Sequence, residues 1–61
     1  MGNKLREYRR KKQMTQKALA DASGVSRATI CALEKGRLHT STTTLIKIAD
    51  ALNTKVEKIF F

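Results

Sequence analysis

The sequence predicts an all-α fold in a single small domain spanning residues 1–61, and three observations carry that expectation. The stretch TQKALADASGVSRATICALEKG, residues 15–36, reads as two short helices, each opened by a hydroxyl residue and joined by a turn at Gly24. Leu45, Ile48, Ala49 and Leu52 recur at the spacing that lines one face of a helix. Proline is absent and runs of β-branched residues are few, so nothing in the chain argues for strands.

Taken in order, residues 4–13, KLREYRRKKQ, form a first helix of two to three turns whose apolar stripe is Leu5 and Tyr8, with cations around the remainder. Met14 closes the core beneath the next helix. Thr15 caps that second helix, which begins at Gln16, by accepting from its unpaired N–H groups. Its inward face is expected to hold Ala18, Leu19 and Ala22, the two alanines allowing close approach. Gly24 takes the left-handed conformation that stops the helix, and Val25 plugs the corner.

Ser26 caps the third helix, about residues 26–35. Ile30 and Leu33 turn inward, while Arg27, Ala28, Cys31 and Ala32 are expected to stand free. After Gly36 the segment RLHTSTTT is a polar loop containing Arg37, His39 and Thr40, with His39 expected to be solvated. Ser41 or Thr42 caps a fourth helix that ends at Asn53, and Val56, Ile59 and Phe60 line a final turn or two. Consecutive Phe60 and Phe61 cannot both point inward from a helix, so one ring is expected to lie exposed, available for a contact between two copies.

Sixty-one residues bury only about 60% of their unfolded surface and leave no room for a large pocket. The net charge is +8, which points to a polyanionic partner. Residues 1–37 hold ten Lys or Arg against three acids, whereas residues 38–61 hold three against two. The basic character therefore belongs to the half that carries the helix–turn–helix. Cys31 is alone, so it can form neither an intramolecular disulfide nor a cysteine metal cluster, and a cytoplasmic setting, without cofactor or metal, is the simplest expectation. No apolar run is long enough to span a membrane. One Cys, one His and five acids do not assemble a nucleophile, base and orienting acid, so no enzyme is expected.

A short helix that is cationic at its start fits the major groove of double-stranded DNA, where every base pair shows a distinct pattern of donors and acceptors. Arg27 can make two bonds to a guanine edge, and Ala28 and Ala32 can pack on thymine methyl groups. Gln16, at the first position of the second helix, faces an anion together with the positive helix end. Arg10, Lys11, Lys12, Lys17, Lys35 and Arg37 would supply sequence-independent affinity, and Ser26 and Thr40 lie where backbone phosphates are expected.

The residues Leu5, Tyr8-Arg9, Met14-Thr15-Gln16, Leu19-Ala20, Gly24-Val25-Ser26, Ile30, Leu33-Glu34-Lys35-Gly36, Leu45, Ile48-Ala49, Leu52 and Ile59 resemble the Cro and phage-repressor, or XRE-type, class of helix-turn-helix domains. That resemblance implies a five-helix, lambda-repressor-like domain that binds DNA sequence-specifically as a homodimer and regulates transcription, with repression expected. It also implies that Gln16 anchors a phosphate, that Arg27 and Ala28 meet base edges, that Thr29 touches backbone or base, and that Ala32 lies one turn further along the groove. Arg9 and Glu34 match an interior ion pair of the class. Thr40 and Thr42 depart from its usual Pro and apolar residue, and Thr54 stands where Val or Ile is common. The alternative reading, a protein-interaction module such as an antitoxin-like or adaptor subunit, rests on the exposed terminal Phe.

Overall fold

A computed structural model describes residues 3–37 and 40–61, and those residues form five helices: α1 (Leu5–Lys11), α2 (Gln16–Ser23), α3 (Arg27–Glu34), α4 (Thr42–Ala51) and α5 (Val56–Phe60). Leu38 and His39, and with them the expectation that His39 is solvated, lie outside the described residues.

Three of the helices start on a hydroxyl cap. Thr15 Oγ1 accepts from the Ala18 amide at 3.0 Å, Ser26 Oγ from Thr29 at 3.2 Å, and Ser41 Oγ, rather than Thr42, from Thr44 at 3.3 Å. Helix α1 is started by Asn3 instead, whose Oδ1 accepts from the Leu5 amide at 2.9 Å.

The helix ends share one device. After α1, α3 and α4 a residue in the left-handed region, Gln13, Gly36 or Asn53, reverses the chain, and the two amides that follow the cap bond back into the last turn. Gln13 donates to Arg10 O at 2.9 Å and Met14 to Arg9 O at 3.2 Å, so α1 stops at Lys11, short of the predicted residue 13. Gly24, at φ 72°, closes α2 through a single bond from its amide to Ala20 O at 2.9 Å.

Leu5, Leu19, Ile30, Leu33, Ile48, Ala49, Leu52 and Ile59 form one buried cluster, with Tyr8, Met14, Val25, Leu45, Val56 and Phe60 packed around it. Helix α2 sits between α3 and α4, while α1 bridges α3 and α5. The inward face of α2 differs from the expectation. Ala18 and Ala22 are exposed, and Leu19 is flanked on the inside by Ala20 and Ser23. Leu19 is the only large apolar residue of α2, so its sequence leaves the rotation about that residue open. Packing against α3 and α4 together selects the other side. Ser23 is accommodated there because its hydroxyl donates to Leu19 O at 2.7 Å and accepts from the Val25 amide at 3.3 Å.

The segment before α1 is stitched to two other helices. The Lys4 amide donates to Ile59 O at 3.0 Å, and Asn3 Nδ2 donates to Leu33 O at 2.9 Å. No helix among the described residues is long and apolar enough to cross a membrane.

Candidate nucleic-acid interface

Helix α3 exposes its first two residues and buries its last two. Arg27 and Ala28 stand in solvent, Ile30 and Leu33 are in the core, and Glu34 is buried beneath α1. Cys31 and Ala32, expected to stand free, are half-buried, because an eight-residue helix with neighbours on two sides keeps only its leading end clear. Thr29 is also half-buried, and its hydroxyl accepts from Ser26 Oγ at 2.8 Å. The Ser26 hydroxyl is therefore engaged twice within the cap, accepting from the Thr29 amide and donating to the Thr29 side chain.

The start of α2 lies beside that leading end. Arg9, Thr15, Gln16, Lys17 and Arg27 line a hollow of about 440 Å³. Three of the five are cations and none is an acid, and the unpaired N–H groups at the start of α2 add partial positive charge. Chemically, such an arrangement can accept an anionic oxygen. Lys17 is shared, since its Nζ is 3.3 Å from Asp21 Oδ2 on the next turn.

Beneath the hollow is a polar network centred on Glu34. Arg9 Nε donates to Glu34 Oε2 at 2.6 Å and Arg9 Nη2 to Oε1 at 3.2 Å, while Arg9 Nη1 holds Met14 O at 2.7 Å. Gln16 Nε2 donates to Glu34 Oε1 at 3.2 Å, and the more exposed Arg6 approaches the same oxygen at 3.4 Å. Burial pushes the Glu34 carboxyl pKa up, but the hydrogen bonds from Arg9, Gln16 and Arg6, with the Arg9 charge, outweigh it and hold the pKa below its ordinary value of 4.5. Glu34 thus stays ionised inside the domain. Gln16, read from sequence as pointing outward, has its amide nitrogen turned inward. Asn3 and Arg6 went unread as structural partners, because short-range patterns carry no signal for contacts spanning 30 and 28 residues.

The remaining cations do not converge on the hollow. Lys35, Arg37 and Arg10 are exposed and do not line it, and neither does the exposed, uncharged Thr40. Lys11 leans on Glu7 at 3.5 Å and over the Tyr8 ring at 5.1 Å from its centre. Phe60 is half-buried against the core and Phe61 is 88% exposed, so one of the two rings is outside, as the helical geometry requires.

A capped pair of helices crossing at a left-handed glycine, with the second presenting a bare cationic start, defines a helix-turn-helix protein of the kind that enters the major groove. The helix-turn-helix family model matches residues 5–59, and the chain belongs to that family in its Cro and phage-repressor, XRE-type form. It is similar to an uncharacterized HTH-type transcriptional regulator of Methanocaldococcus jannaschii, 47% identical over 98% of this chain and 91% of that protein. It is also similar to the control protein C.SmaI of Serratia marcescens, 36% identical over 97% of this chain and 70% of that one. Among solved structures, the restriction-modification controller protein C.AhdI from Aeromonas hydrophila superposes with a TM-score of 0.86 at 33% identity, covering 90% of this chain and 83% of its own. The chain is a DNA-binding transcriptional regulator of this family.

Proposed function

We propose that the chain acts as a repressor, binding a palindromic operator as a homodimer with the start of α3 in the major groove of each half-site. The observation that carries this reading is the bare pair Arg27 and Ala28 next to the cationic hollow at the start of α2. Base edges are met by Arg27, Ala28 and Thr29, and by Ala32 through whatever part of its half-buried methyl group reaches a thymine. Arg27 reads a guanine with two bonds, worth roughly 1–3 kcal/mol of discrimination. Backbone phosphates are met by Gln16 and Lys17 at the hollow, by Lys35, Arg37 and Thr40, by Ser26 once its hydroxyl proton turns from Thr29 to the phosphate, and by Arg10 and Lys11 from α1. Phe60 and Phe61 supply the contact between copies, and a two-fold dimer that reads a palindrome sets its two recognition helices about 34 Å apart. The role is one of binding, without catalytic chemistry, metal or cofactor, in the cytoplasm.

Sequence selection from random duplex DNA tests the reading when run alongside the Arg27→Ala variant. A palindromic consensus should emerge for the native chain and lose one guanine preference per half-site in the variant. The logarithm of affinity should fall against the logarithm of salt by about 0.9 for each neutralised phosphate. Binding with neither a preferred sequence nor salt dependence would refute it.

A further inference from the structure

Glu34 takes no part in the surface that meets DNA. Its side chain is 1% exposed, and it lies under the hollow without lining it. Yet it grips two of the residues that do line it, Arg9 and Gln16. A carboxylate only accepts hydrogen bonds, so the Gln16 amide must turn its nitrogen toward Glu34, and the amide cannot flip without losing that bond. One N–H of Nε2 is thereby held inward, and among the described residues the other has no acceptor. Arg9 is fixed in the same way: three of its N–H groups go to Glu34 and to Met14 O, which sets the plane of its guanidinium at the floor of the hollow.

We propose that Glu34 is a positioning residue for DNA binding, acting through Gln16 to keep an amide donor, and not the Gln16 carbonyl oxygen, turned toward a phosphate in the hollow. The inference rests on the phosphate-binding reading of that hollow given above. Without the carboxylate the Gln16 amide rotates freely, and half of its orientations set an acceptor against an anion. Simple Coulomb reasoning gives the opposite expectation, since removing a negative charge from beneath a phosphate site should tighten binding. The two accounts therefore differ in sign.

The test measures the affinity of the full chain for a mixed-sequence duplex at fixed salt, at a temperature where circular dichroism shows each variant folded. Gln16→Ala should weaken binding about tenfold, the loss of one charge-assisted hydrogen bond. Glu34→Gln should weaken it by a similar factor, and the double variant should be no weaker than either single one. If Glu34→Gln does not fold, Glu34→Asp keeps the charge, withdraws the carboxylate from Gln16 by one methylene and should give the same result. A second measurement needs no variant. In the native protein the two Nε2 protons of Gln16 should give distinct amide resonances, and on adding duplex the proton facing Glu34 should stay while the other shifts. A folded Glu34 variant that binds as tightly as the native chain or tighter, losses that multiply in the double variant, or movement of the Glu34-bound proton would each overturn the proposal. If Gln16→Ala leaves affinity unchanged, the phosphate reading of Gln16 falls and takes the proposal with it. Failure to bind any duplex would instead strike at the regulator reading as a whole.

Discussion

Replacing Arg9 by alanine tests whether its first duty is to the fold or to DNA. Arg9 is almost fully covered, with 11% of its side chain exposed, and it makes both of the shortest polar contacts in the network, 2.6 Å to Glu34 and 2.7 Å to Met14 O. Its loss leaves the Glu34 carboxylate buried with Gln16 and with Arg6, whose side chain is 53% exposed and lies 3.4 Å away. Breaking a buried pair from one side costs roughly 3–5 kcal/mol, the lower figure applying if Arg6 swings in to replace the lost charge. The Met14 carbonyl loses a donor as well, and with it the brace across the reversal between α1 and α2. A chain of this length has a total stability of only about 3–9 kcal/mol, so the variant should lie close to the edge of folding. Thermal unfolding followed by circular dichroism should show Tm lower by more than about 10 °C. A variant that kept its Tm and lost DNA binding would refute this reasoning and make Arg9 primarily a phosphate contact.

The Glu34 carboxyl also predicts an acid response. Its pKa is lowered on folding, so its contribution is fully present above the unfolded value of 4.5 and is lost as pH falls through the lower folded value. Denaturation midpoints measured across that range should therefore fall with pH in the native chain, and this part of the fall should vanish in Glu34→Gln. At Gly24, φ is 72° and nothing lies within 4 Å of where a Cβ would stand, so Gly24→Ala should cost only the backbone strain, about 1–2 kcal/mol. Urea titration would read it, and Gly24→Asn should recover part of the loss, as Asn53 already adopts this conformation at φ 55°. The rotation of α2 can be checked with a pair of variants. Ala22→Leu on the exposed side should change stability by no more than about 0.5 kcal/mol, whereas Ala20→Leu, packed against the core, should cost roughly 1–3 kcal/mol.

Features that depend on near neighbours along the chain could be read from the residues alone. Thr15 and Ser26 mark helix starts because a short hydroxyl side chain reaches an amide three residues on, and Gly24 marks a reversal because its conformation is costly for other residues. The α4 stripe and the single exposed ring of Phe60-Phe61 follow from the angle between successive helical residues alone. The exposed start of α3 was legible for the same reason, and with the surplus of cations in the first 37 residues it was enough to point at DNA. The pairing of Arg9 with Glu34 could be anticipated only through family resemblance, since 25 residues separate them.

Features that depend on two elements meeting emerged with the packing of the helices. The rotation of α2, which exposes Ala18 and Ala22 and turns Ala20 and Ser23 inward, is set by the joint demand of α3 and α4, because small residues flank Leu19 on both sides and local pattern cannot choose between them. The inward turn of the Gln16 amide is set by a buried anion 18 residues away. Asn3 joins the start of α1 to the end of α3 across 30 residues. Spacing along the chain governs caps, turns and stripes, but a buried charge draws its partners from wherever the packing brings donors within reach, and that selection is made in three dimensions.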